Sequence, residues 1–196
     1  MRITADEKDA TRRRILDAAI RLFKAHGFET TTTREIAAAA EIATGTLFNY
    51  FANKEAIVAS VAEESLAKAQ VAFDGTASAA PLEEALFALV AAELRQLKPL
   101  RKFIVPLLET ALSPLSTTRG GSNDSMRAGH LEIVAGLARQ RGLGELSAVA
   151  LQVYWTLYTG VLAYWAGDKS PKQEDTLALL DESMGMFVSW LQSGVR

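Results

Sequence analysis

Between Thr33 and Lys54 the chain reads TREIAAAAEIATGTLFNYFANK, and this stretch decides the fold. Thr32 and Glu35 stand at capping-box spacing, so a helix is expected from Thr33 to about Ala40. Glu41-Ile42-Ala43 is a three-residue turn, and a second short helix is expected over Thr44–Tyr50. Ile36, Ala37, Ala40, Ile42 and Leu47 supply the apolar contacts that hold the two helices at an angle, and the alanine run lets them approach closely. The second helix then exposes Thr44, Gly45, Thr46, Phe48, Asn49 and Tyr50, a small and polar surface of a size that suits the DNA major groove.

Working outward, the preceding segment spells an amphipathic helix from about Asp9 to Ala25. Ile15, Ala18, Ala19, Leu22 and Phe23 recur at three-to-four spacing, with Arg14, Asp17, Arg21 and Lys24 on the other face. His26-Gly27 ends it, because glycine tolerates the backbone of a helix C-terminus. On the far side Asn53 is placed to cap a long helix that begins near Lys54 and fades at Asp74-Gly75. Arg12, Arg13 and Arg14 form the one basic run. Residues 1–56 carry nine Lys/Arg against eight Asp/Glu, and the remainder twelve against fifteen, within an overall net charge of −2. Local placement of basic groups therefore matters more for phosphate contact than bulk charge.

The rest of the chain also reads as helices, with no sustained period-2 alternation and no Asn-Gly or Asp-Gly hairpin. Pro81 opens a helix that runs to about Leu97, and Pro99 separates it from Leu100–Leu112, which Pro106 is expected to kink. Ser113–Asn123 is a hydroxyl- and glycine-bearing loop. Asp124–Arg141, Glu145–Ala166 and Lys172–Gln192 complete an all-α chain, divided into residues 1–56 and 57–196. Its 49% hydrophobic content is ample for a buried core.

Several classes of function are disfavoured. There are no cysteines, hence no disulfides, thiolate metal sites or cysteine nucleophiles. No acid cluster and no nucleophile with its base supports an all-α enzyme, and no cofactor is expected. His26 reads as a helix-end residue, and His130, isolated from other ligand types, as a buried hydrogen-bonded or ligand-contacting side chain. Met1–Arg14 lacks the apolar core of a signal peptide. Leu146–Gly167 carries no charge, but Ser147, Gln152, Thr156 and Thr159 interrupt it and no basic cluster flanks it, so a buried helix is expected, not a membrane span.

These linked spacings resemble the DNA-binding domain of the tetracycline repressor (TetR) family. The likeness rests on Ile15-Leu16-Asp17-Ala18-Ala19 with Leu22-Phe23, and on Gly27-Phe28 followed by threonines. Ile36-Ala37, Gly45-Thr46-Leu47-Phe48, Tyr50-Phe51 and Asn53-Lys54-Glu55 complete it. The resemblance covers about fifty residues; the remainder is similar in length and helical rhythm.

The resemblance implies a cytoplasmic homodimer that binds palindromic operator DNA and is released by a small apolar or aromatic effector. It implies phosphate contacts from Thr33, Tyr50 and Lys54, a base or backbone contact from Arg34, and base-edge contacts from Thr44, Gly45, Thr46 and Asn49. Asn49 is the favoured reader, since an amide pairs bidentately with adenine. Phe48 stands where a tyrosine hydroxyl is common and can only pack. Glu41 replaces a usual turn glycine, and Ala43 a usual serine cap. In the C-terminal part, Tyr154, Tyr158 and Thr159 have the chemistry of a pocket wall, with Phe103, Leu107 and Met126 as facing candidates. Leu179, Met186, Phe187 and Trp190 on the last helix are the expected dimer contacts. The rival expectation is a constitutive helix-turn-helix DNA binder that senses no ligand.

Overall fold

The computed structural model describes residues 4–73, 80–105 and 122–194, with side chains from residue 126 onward in the last segment. The described residues are helical throughout, without strands. We number the helices α1 (Ala5–His26), α2 (Thr33–Ala39), α3 (Thr44–Phe48), α4 (Lys54–Phe73), α5 (Leu82–Leu97), α6 (Ser122–Gln140), α7 (Ala148–Gly167) and α8 (Glu174–Gln192). Short 3-10 turns span Lys98–Phe103 and Pro171–Gln173. The chain divides into two compact units between Ala62 and Glu63, within α4.

In the N-terminal unit the expected stop and start signals operate with one shift. Helix α1 begins earlier than Asp9, because Thr4 and Glu7 form a full capping box ahead of it. It stops at Gly27, whose φ of 91° a side chain would strain. Helix α2 starts from the expected Thr32–Glu35 box: the Thr32 hydroxyl accepts from the Glu35 amide at 3.2 Å, and the Thr32 amide donates to the Glu35 carboxylate at 2.8 Å. Such a cap contributes about 1 kcal/mol. Donation from the Thr32 amide and hydroxyl also holds the Glu35 carboxyl below the usual range. Asn53 Oδ1 accepts from the Ala56 amide at 2.8 Å, which caps α4 as expected. Ile15, Phe23, Ile36, Leu47 and Ile57 fill this unit's core at 0–2% exposure, leaving the opposite faces of α2 and α3 to solvent.

Helix α2 ends in a Schellman turn. The Glu41 amide donates to Ala38 and the Ile42 amide to Ala37, at 3.1 and 3.0 Å. The turn needs a left-handed residue, and Glu41 provides it at φ 57° in place of the usual glycine.

In the C-terminal unit α8 packs on α5 and α7, and α5 on α6. Leu86, Leu89, Leu97, Tyr154 and Trp165 are fully buried there. Leu100–Phe103 belongs to a 3-10 turn, not to the α-helix expected from Leu100, because Pro99 sits inside the turn. Pro106 and Leu107 lie outside the described residues. Helix α7 starts at Ala148 instead of Glu145, since Ser147 caps it by accepting from Ala150 at 3.1 Å. The last helix likewise starts at Glu174, because Lys172 and Gln173 adopt positive φ just before it.

The approach to α8 is tied at one point. Asp168 accepts from the Ser170 amide and from both the amide and hydroxyl of Thr176, and these donors, the Thr176 hydroxyl foremost, hold its carboxyl well below the ordinary aspartate value. A depressed carboxyl stabilises the fold above its unfolded pKa, and that stabilisation is lost as pH falls below it. Acid unfolding followed by circular dichroism is therefore expected to begin as pH drops below the ordinary value of 3.8, and Asp168→Asn to flatten that dependence.

Candidate nucleic-acid interface and buried polar cluster

Helix α3 is placed by its own burial. Leu47, at 0% exposure, anchors it in the core, so the neighbouring positions point outward. Gly45, Phe48 and Asn49 are exposed; Thr44, Thr46 and Tyr50 are half-buried. A Cβ added at Gly45 would meet nothing within 4 Å, so this residue opens the surface without being demanded by the fold. Ala43 offers no side-chain cap, and its carbonyl instead accepts from Thr46 and Leu47 at 2.9 and 3.2 Å. On α2, Arg34 is exposed and Thr33 half-buried at the first turn. Arg13 and Arg14 of α1 are also exposed, while the Arg12 guanidinium lies 5.8 Å from the Phe51 ring centre.

Lys54 has a second engagement that sequence reasoning missed. Its ammonium donates to the carbonyls of Phe28 at 2.8 Å and Glu29 at 3.3 Å, and sits 4.6 Å from the Phe28 ring centre. The residue therefore ties the α1–α2 loop to the start of α4. Only part of its three-donor capacity remains for a phosphate.

The aromatic run of α7 is built into the core, around charged and polar groups. His130, Glu93, Tyr154 and Tyr158 are all at or below 2% exposure. Glu93 Oε1 lies 2.9 Å from His130 Nδ1, and His130 Nε2 lies 3.0 Å from the Tyr154 hydroxyl. The His130 ring stacks on Tyr158 at 4.3 Å and on Tyr154 at 5.6 Å. Burial, and then the charge of Glu93, push both tyrosine hydroxyls well above their ordinary pKa, so both keep their protons. His130 is thus buried and hydrogen-bonded, the first of the two readings expected of it. Glu93 was missed, although it shares the apolar stripe Leu86, Val90, Glu93, Leu97, and a charge in such a stripe is the signal that finds it.

The other expected pocket residues divide. Phe103 is buried, Met126 half-buried, and the buried Thr159 hydroxyl is spent on its own helix, donating to the Trp155 carbonyl at 2.8 Å. On α8, Leu179 and Met186 are 37% and 64% exposed and Trp190 is half-buried. Phe187 needs correcting: it is 1% exposed and packs edge-on against Tyr154 at 5.4 Å, so it is a core residue and not a surface contact.

Residues 15–61 match the model of bacterial regulatory proteins of the tetR family. Over 187 residues the chain is 31% identical to MftR of Mycobacterium tuberculosis, a transcriptional regulator named for mycofactocin biosynthesis, covering 91% of each protein. The chain belongs to the TetR family. Among solved structures, FadR of Thermus thermophilus, a TetR-family repressor in complex with lauroyl-CoA, is similar in fold with a TM-score of 0.69. It is 23% identical, over 94% of this chain and 95% of that one. A TetR regulator from Rhodococcus sp. RHA1 gives a TM-score of 0.70 at 16% identity, covering 94% and 98%. This TetR protein is accordingly a transcription regulator and not an enzyme, and the exposed α2–α3 corner is the family's DNA-binding element. Among the described residues, no helix is long and apolar enough to cross a membrane.

Proposed function

We propose that this TetR protein is a cytoplasmic repressor that binds a palindromic operator as a homodimer and leaves it when a small effector occupies the C-terminal unit. The observation that carries the DNA-binding part is the presentation of Arg34, Gly45 and Asn49 to solvent on two short helices whose inner faces are locked by Ile36 and Leu47. A rigid anchor with an open, polar outer face is what base reading in a major groove requires. Asn49 reads a base edge, with Thr44, Gly45 and Thr46 beside it. Thr33 and Tyr50 contact phosphate, as does Lys54 through the donor capacity its loop contacts leave.

Dimerisation follows from the outer face of α8. Leu179, Met186 and Trp190 share one stripe, and Tyr164 and Val149 of α7 are exposed apolar side chains as well. A dimer sets two recognition helices about 34–36 Å apart, one turn of DNA. An effector bound more tightly in the arrangement with the wrong spacing shifts the population away from DNA. The aromatic core of α7, and the lauroyl-CoA complex of the similar FadR, support a C-terminal effector site.

Selection of binding sites from random DNA by the purified protein tests this reading. Enrichment of a palindrome is expected, with affinity falling steeply with salt. Asn49→Ala is expected to cost about 1–3 kcal/mol at one base position and to relax specificity there. Lys54→Ala should weaken all sequences alike. Failure to enrich any sequence at low salt would remove the reading.

A further inference from the structure

We propose that Phe48 is a specificity-determining residue of the operator contact, and that its ring selects thymine through that base's 5-methyl group. This rests on the DNA-binding reading above and adds a base and the group by which it is recognised. Three bulky apolar side chains stand close together in the reading corner, Leu47, Phe48 and Phe51, and the core takes two of them. Leu47 is 0% and Phe51 4% exposed, while Phe48 is 50% exposed. The fold leaves much of this ring in water, and an apolar face in water gains free energy when an apolar partner covers it.

The place of the ring on α3 says what could cover it. Asn49 keeps a right-handed helical backbone at φ −73° and ψ −18°, so the helical pattern runs through it. At about 100° per residue, Gly45 and Asn49 stand opposite the buried Leu47, and Phe48 stands roughly a quarter-turn from Leu47. Gly45 and Asn49, both exposed, are thus the centre of the outer face, with Phe48 at its edge. A Cβ added at Gly45 would meet nothing within 4 Å, so the Phe48 ring is not folded down over it. The outer face is therefore a stretch of bare backbone between an aromatic ring and an amide. A base-pair edge can seat closely there, with the amide on its polar atoms and the ring on an apolar group. The major groove offers one such group, the thymine methyl; the other bases present acceptors and amino donors. Phe48 has no hydroxyl, so a phosphate offers it no hydrogen bond.

The test is fluorescence anisotropy of the whole chain on its selected operator and on copies in which each thymine in turn is replaced by uracil. That replacement removes the methyl and leaves the pairing edge intact. At one thymine of a half-site, wild type is expected to bind the uracil copy about fourfold more weakly, the worth of one buried methyl-sized group. Phe48→Ala should bind thymine and uracil alike at that position and, in a repeated selection, relax base choice there alone. Each comparison is a ratio within one preparation, so a partly unfolded variant does not mimic the effect. The proposal is overturned if uracil costs wild type nothing at every thymine, or if the selected half-site holds no thymine. It is also overturned if Phe48→Ala keeps the full preference, which would pass the methyl contact to Thr44 or Thr46. In each of these outcomes an operator is still selected, and the DNA-binding reading stands. Failure to select any operator would remove both.

Discussion

Trp165→Ala is expected to lower the stability of the C-terminal unit by about 3–5 kcal/mol. The indole is fully buried on α7, and its loss leaves a cavity on a helix that packs against α8. The site also organises polar groups. Arg101 Nε donates to the Trp165 carbonyl at 2.7 Å, its guanidinium carbon lies 5.7 Å from the indole centre, and Nη2 donates to the Asp168 carbonyl. With its amide turned to suit these donors, Gln173 accepts from the indole N–H at 2.8 Å. Domains of this size are stable by roughly 5–15 kcal/mol, so the substitution should bring this one near its limit. Denaturant titration followed by far-ultraviolet circular dichroism measures it. A loss below about 1 kcal/mol would mean that neighbouring side chains collapse into the space, contrary to the packing described.

Met186→Arg is expected to separate the protomers and to reduce operator affinity by at least about a thousandfold, the gap between specific and nonspecific binding. Met186 is 64% exposed, so the change leaves the protomer core intact. In the proposed dimer the guanidinium would instead be buried against its own symmetry copy, a like-charge contact without a partner. Sedimentation gives the oligomeric state, and fluorescence anisotropy on the selected operator gives the affinity. A variant that remains dimeric and binds with wild-type affinity would move the interface away from the α8 stripe.

The corner that reads DNA was legible because its rules are local. Thr32–Glu35, Gly27 and Asn53 act within a few residues of themselves, and each does in the structure what its spacing announces. Thr4–Glu7 obeys the same rule and was readable too, though the apolar periodicity that starts later drew the helix boundary to Asp9. What was not legible depends on partners distant in sequence. Phe187 and Met186 are adjacent on one helix, and the faces they occupy follow from where α5 and α7 pack, which periodicity leaves uncertain by one position. Lys54 meets carbonyls 25 and 26 residues away, and the Glu93–His130 pair spans 37. A lone histidine and a lone glutamate show their meaning only once three helices bring them together.

The turn at Glu41 carries a lesson for anyone reshaping this protein. A left-handed backbone costs a side-chain-bearing residue on the order of 1–2 kcal/mol that glycine avoids. Glutamate therefore holds the reading corner in a conformation it does not prefer. A glycine there would give a sturdier corner and would also strip a negative charge from an exposed position beside the groove-facing helices. Ruggedness and grip on the polyanion are coupled at this one residue, so a heat-hardened version of the regulator would also be a stickier one, slower to let go of DNA it has no business holding.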